Sequence, residues 1–178
     1  VDAQQVTDAT LAARAELHRL VDALRKLGGP WTNIKIVATG AQIGTREGRR
    51  IHGRYTVTVD DMLRGARFHD GICRVTFGID VHSTSKSHST GIEQKPVKQR
   101  TQPYDIPLRS LIATDIDGLM MAGRCISGDF LAHSSYRVTG NAVAMGQAAG
   151  VTAALAARDS IQPHEVPWHD VSQTLAEH

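Results

Sequence analysis

The stretch Leu119-Met-Met-Ala-Gly-Arg-Cys-Ile-Ser-Gly128, taken with Ser134-Ser-Tyr-Arg-Val-Thr-Gly-Asn-Ala-Val-Ala-Met-Gly-Gln-Ala-Ala-Gly150 just downstream, decides how this chain reads. Leu119 to Ala122 is a short apolar run that stops at Gly123, the pattern of a brief buried strand. A glycine at the break lets the backbone approach a flat ligand, because no Cβ holds the two apart. A helix is expected from Val138 to Ala157, closed by Arg158-Asp159-Ser160 with Pro163 just beyond. It opens around Thr139, Gly140 and Asn141, where unpaired N–H groups and the helix dipole favour an electronegative partner. Along it, Gly140, Ala144 and Ala148, together with Gly146 and Gly150, clear side chains from whole faces. From these residues alone two readings stay open: close helix packing, or an end that faces the edge of a bound ring.

Working outward, Leu17, Leu20, Val21, Leu24 and Leu27 fall at helical spacing, with Asp8 or Thr10 as the expected cap and Gly28-Gly29-Pro30 as the stop. Asn33 to Thr39 reads as a short strand, and Tyr55 to Val59 alternates as a strand does. Thr58-Val-Asp-Asp61 carries a helix-capping signal. The cleanest strand runs from Cys73 to Val81, with Cys73, Val75, Phe77, Ile79 and Val81 on one face and Arg74, Thr76, Asp80 and His82 on the other. The polar, aperiodic stretch that follows predicts a mobile loop over 83–103, and a last amphipathic turn or two surrounds Trp168, Val171 and Leu175. The class expected is α+β: a central antiparallel sheet with helices at both ends.

Composition narrows the function. The chain has 178 residues, 41% of them apolar and 21% charged, which suits a water-exposed globular domain. Twenty Lys and Arg against 18 Asp and Glu leave a formal charge of +2, so no electrostatic case arises for nucleic acid or an anionic membrane. No run approaches the roughly 20 apolar residues of a membrane span, and the first residues carry Asp2, Asp8 and Glu16 where a signal peptide would be apolar. The two cysteines, Cys73 and Cys125, form no CxxC, and a reducing cytoplasm is the expected setting. Nine histidines show no HxH, HxxxH or ExxH spacing on an expected element, so no metal site is expected. The opening residue is Val1, which suggests a processed or truncated chain.

Several segments, in order, carry a family resemblance. They are Ala38-Thr-Gly-Ala-Gln-Ile-Gly-Thr-Arg-Glu-Gly-Arg-Arg-Ile51, Tyr55-Thr-Val-Thr-Val-Asp-Asp61, Ile79-Asp-Val-His82, Tyr104-Asp-Ile-Pro-Leu-Arg-Ser-Leu111, Ala122-Gly-Arg-Cys-Ile-Ser127 and Arg137 to Gly150. With them the chain resembles the C-terminal part of the bacterial FAD-dependent oxidoreductase family, which has a glutathione-reductase-like flavin fold. Such proteins hold the FAD pyrophosphate on a GxGxxG loop. None of the 16 glycines here forms even a G-x-G, so the resemblance implies that the dinucleotide-binding portion is absent. It further implies a substrate-domain-like region over 1–112 and, over 113–178, a C-terminal segment that completes the FAD-binding domain.

By the same resemblance, Gly123, Arg124, Arg137, Gly140, Asn141 and Ala142 are the cofactor-binding positions, with FAD held weakly or not at all by the isolated chain. Candidate substrate anchors are Arg46, Arg50 and Arg109, whose guanidinium groups suit bidentate carboxylate pairing. The candidate catalytic pair is His82 as base with Asp80 orienting it. In the intact enzyme, hydride transfer from a small organic substrate to FAD is implied. The expected partners are that substrate and either a second copy or a chain that carries the dinucleotide-binding domain. The alternative is a flavin-free binding or assembly module. Either way, an exposed apolar patch is expected on the 119–150 face.

Overall fold

Asp2 starts the first helix. Its carboxylate accepts the Gln4 N–H at 3.2 Å, and α1 runs over Ala3–Leu27 until Gly28, at φ +72°, turns the chain into a 3₁₀ turn at Gly29–Trp31. The helix therefore begins earlier than the Asp8 or Thr10 cap expected. Thr10 is a buried helix-interior residue instead, its hydroxyl donating to the Val6 carbonyl and accepting the Ile43 N–H. The computed structural model describes residues 2–81 and 100–177. These group into two compact units, Val1–Gly48 and Arg49–His178.

In the first unit the chain after Trp31 runs back beside α1 without forming a strand. Arg25 Nε donates to the Ile34 carbonyl at 3.0 Å, and Arg14 Nη2 donates to the carbonyls of Gly40 at 2.8 Å and Ala41 at 3.0 Å. Among the described residues the strand expected over Asn33–Thr39 has no partner strand, and arginine side chains take the carbonyl of Ile34 within it and those of Gly40 and Ala41 just beyond it.

The second unit is mixed helix and strand, the α+β class the sequence predicts. Its elements are α2 (Val59–Arg64), β1 (Gly71–Val75), β2 (Tyr104–Pro107), α3 (Phe130–Tyr136), α4 (Thr139–Asp159) and α5 (Trp168–Ala176). β1 and β2 pair antiparallel, Cys73 opposite Ile106 and Val75 opposite Tyr104, with a bulge between Gly71 and Cys73. Arg74 and Asp105 face each other across the pair, and Arg67 Nη1 reaches the same carboxylate at 2.6 Å. β1 is shorter than the strand expected to Val81. Beyond Val75 the backbone turns to α3: Ser135 Oγ donates to the Phe77 carbonyl, and Ser134 Oγ accepts the Asp80 N–H at 3.3 Å.

α2 opens with the capping box the sequence signalled. The Asp61 carboxylate accepts the Thr58 N–H at 2.9 Å, and Thr58 Oγ1 accepts the Asp61 N–H at 3.4 Å. Asp129 caps α3 by accepting the Ala132 N–H at 2.7 Å, and with its other oxygen takes the Val59 N–H at 2.7 Å. One carboxylate thus joins the starts of two helices. The stretches Tyr55–Val59 and Leu119–Ala122 make single bridges, Val57 with Gly128 and Met120 with Ile112, in place of full strands.

Two apolar clusters meet along α4. Met145 enters the first, with Val57, Val75, Tyr104, Ile126 and Tyr136; Ala148, Leu155 and Ala156 enter the second, with Leu108, Val166 and Val171. Complete burial of residues such as Met145 and Val171 stabilises by about 1.5–3 kcal/mol each before conformational entropy is counted. Gly128 is required where it stands, because a Cβ there would lie 2.5 Å from the Tyr136 hydroxyl.

Candidate functional site

The candidate site begins where the extended backbone at Ala122 breaks into the 3₁₀ turn Gly123–Cys125. Gly123 is buried and adopts φ +68°, and a Cβ there would sit 3.3 Å from the Ala142 Cβ. The turn therefore lies directly on the first turn of α4. Val138, the residue before that helix, contributes no side-chain cap, so the first N–H groups are left to other acceptors. Gly140 is exposed and has nothing within 4 Å of the Cβ position. Asn141 uses Nδ2 to bond the Tyr136 carbonyl at 3.3 Å, which ties α4 to the end of α3.

Arg137 sits between the two helices, 7% exposed, with Nη2 donating to the Asp80 carbonyl at 2.7 Å. Asp80 and Arg137, assigned to different roles from sequence, are thereby brought together. Arg50 also comes close: the N–H of its neighbour Ile51 donates to the Cys125 carbonyl at 3.0 Å. Burial pushes the Tyr136 phenol well above its ordinary value, and Arg50 is the charge that most opposes the shift. Arg124 is exposed on the same turn.

Arg46 belongs to the first unit, and His82 and the loop expected over 83–103, as far as residue 99, lie outside the described residues. Arg109 stands over the rings of Tyr55 and Phe68, at 5.2 and 5.5 Å from their centroids, and faces Asp70. Asp70, Tyr55 and Phe68 were not singled out from sequence, where no spacing links them to Arg109. Among the described residues no group of three or more His, Cys, Asp or Glu is placed to hold a metal. Both cysteines are free; burial, aided by Asp105, pushes the Cys73 thiol up to about 11. No described helix is long and apolar enough to cross a membrane.

The turn-on-helix arrangement suits the pyrimidine edge of a flavin, where backbone approach and open N–H groups meet an electron-rich ring. The sequence contains no glycine-rich dinucleotide loop of the GxGxxG kind. The chain matches the family model of FAD dependent oxidoreductases over residues 1–175 and belongs to that family. FAD is that family's cofactor. No curated protein and no solved structure matches the chain.

Proposed function

We propose that this chain is the C-terminal portion of an FAD-dependent oxidoreductase of the glutathione-reductase-like type, contributing substrate-side structure and the helix that closes over the flavin ring. The observation that carries the reading is that Gly123, at φ +68°, seats its turn directly on Ala142, which brings the exposed Arg124 beside the open start of α4. Bound there, FAD would accept a hydride equivalent from a small organic substrate. The close seating of Gly123 on Ala142 would set the turn against the helix start, the first-turn N–H groups at Gly140 and Asn141 would face the ring's carbonyl oxygens, and Arg124 and Arg137 would add positive charge. Asp80, fixed through its backbone by Ser134 and Arg137, would set the position of His82, the proposed proton acceptor. Arg50, beside the Cys125 turn, would hold a substrate carboxylate. The dinucleotide-binding portion would come from sequence outside these 178 residues or from a partner chain.

Gly140→Asp tests the reading. Nothing lies within 4 Å of the new Cβ, and an acidic residue in the first turn favours the helix. The same charge opposes the electron-rich flavin edge. The expected result is unchanged or higher thermal stability with flavin affinity reduced about tenfold. Unchanged flavin affinity would remove the ring from this surface.

A second reading, flavin-free self-association through the outer face of α4, is favoured by Val143, which is 67% exposed beside Gly146 and Gly150. A dimer that forms equally with and without flavin would support it over the first.

A further inference from the structure

In the first unit, α1 uses one face and leaves another uncovered. Thr10, Arg14 and Arg25 bond the backbone of the chain that runs back beside the helix, at Ile43, Gly40, Ala41 and Ile34, and Val21 on the same side is buried. About a third of a turn round the helix, at 3.6 residues per turn, lies a second stripe. It comprises Ala9, Ala13, Leu20, Ala23 and Leu27, spaced alternately four and three residues apart once Glu16 is set in its place between Ala13 and Leu20. All six side chains are exposed, Leu20 at 56% and Leu27 at 75%, and the half-buried Leu17 and Leu24 widen the stripe on one side. Single exposed leucines are ordinary on a protein surface. A row that keeps the a/d spacing of a coiled-coil seam along an unbroken 25-residue helix is not.

We propose that α1 pairs antiparallel with α1 of a second copy of this chain. Charge selects both the occupant and its direction. Up to Glu16 the segment carries Asp2, Asp8 and Glu16 against Arg14 alone; beyond it come Arg19, Arg25 and Lys26 against Asp22. The two halves have opposite sign, so the helix complements a reversed copy of itself. Glu16 gives the same answer as the charged residue inside the stripe. A parallel pair brings like positions together and would set two carboxylates side by side in the seam, where each is desolvated without a partner. Reversal about a two-fold axis near residue 18 instead places Leu27 against Ala9, Ala23 against Ala13 and Leu20 against Glu16. Alanine opposite leucine or alanine lets the helices approach closely. Each Glu16 carboxylate then lies level with Arg19 of the other copy, and the axis passes through a cluster of two glutamates and two arginines. The surface is separate from the outer face of α4, and the inference does not rest on the flavin reading.

Sedimentation velocity of the 178-residue chain without flavin, over about 1–200 μM, measures the pairing, with a monomer–dimer Kd of about 10 μM expected from so short a seam. Leu20→Lys should weaken the dimer about tenfold or more by taking a leucine out of the seam. Glu16→Arg gathers four like charges at the axis and should weaken it about tenfold, and the double variant Glu16→Arg with Arg19→Glu should restore it. These changes place good helix formers at exposed positions, so the far-UV circular dichroism spectrum should stay as it is. Val143→Lys, on the outer face of α4, should leave the dimer intact. A chain that stays monomeric throughout the series, a dimer that Leu20→Lys does not weaken, or a charge swap that fails to restore pairing would overturn the inference. A dimer broken by Val143→Lys and untouched by Leu20→Lys would overturn it too, and would move self-association to α4. None of these readouts involves flavin, so failure here leaves the flavin reading untouched.

Discussion

Replacing both Gly146 and Gly150 of α4 by alanine should stabilise the protein. Both lie inside the 21-residue helix Thr139–Asp159, and a Cβ at either would meet nothing within 4 Å. No steric cost therefore offsets the gain in helix propensity, about 0.8–1 kcal/mol for each Gly→Ala change in a helix interior. The double variant should gain about 2 kcal/mol, equivalent to a rise in Tm of roughly 4–8 °C for a chain of this length. Urea unfolding followed by far-UV circular dichroism measures it, with the dependence on denaturant expected to be unchanged. A loss of stability would refute the reasoning, because it would mean that another surface packs against these glycines in solution. The flavin reading adds a second expectation. If a dinucleotide-binding portion covers this face in the intact enzyme, the same methyl groups should weaken that assembly while strengthening the chain itself.

Other expectations follow from single contacts. Asp61→Ala removes a buried carboxylate that caps α2 and accepts the Tyr55 hydroxyl at 2.9 Å, and should cost about 2–4 kcal/mol in urea unfolding. Burial raises the Asp61 pKa, but the Thr58 N–H, Arg64 and Tyr55 outweigh it and hold the carboxyl below its ordinary value. Its contribution is therefore complete above about pH 4 and is lost as pH falls through the lower folded value, so the acid branch of the stability profile should flatten in Asp61→Asn. Gly128→Ala drives a methyl into the Tyr136 ring and should lower stability by about 1–3 kcal/mol, measured the same way. Cys73, with its thiol pushed up to about 11, should resist iodoacetamide at neutral pH in the folded Cys125→Ser variant and react once urea unfolds it.

Elements that depend on local chemistry were legible in the sequence. The capping box at Thr58–Asp61 and the start and end of α4 lie within a residue or two of where their signals place them. Elements decided by distant partners were not. Cys73–Val81 alternates as a full strand, yet the hydroxyls of Ser134 and Ser135 take the backbone groups that a longer strand would have offered to a neighbour. α3, Phe130–Tyr136, is seven residues rich in poor helix formers; its one local signal, Asp129 at the cap, is easily read as part of a turn. The site divides the same way. Gly123 and the opening of α4 are each marked by local residues, but α3 lies between them in sequence, so the meeting of Gly123 with Ala142, like that of Arg109 with Asp70, Tyr55 and Phe68, comes only through the tertiary fold.

The most direct test of the flavin assignment compares riboflavin, FAD and adenosine monophosphate as ligands of the purified chain, followed through the visible flavin band. A surface that meets only the ring edge should perturb the band of riboflavin and FAD to a similar extent and release both on desalting, with no competition from adenosine monophosphate. An unperturbed spectrum at excess protein, or effective competition by adenosine monophosphate, would contradict the placement of the flavin edge at Gly123 and the start of α4.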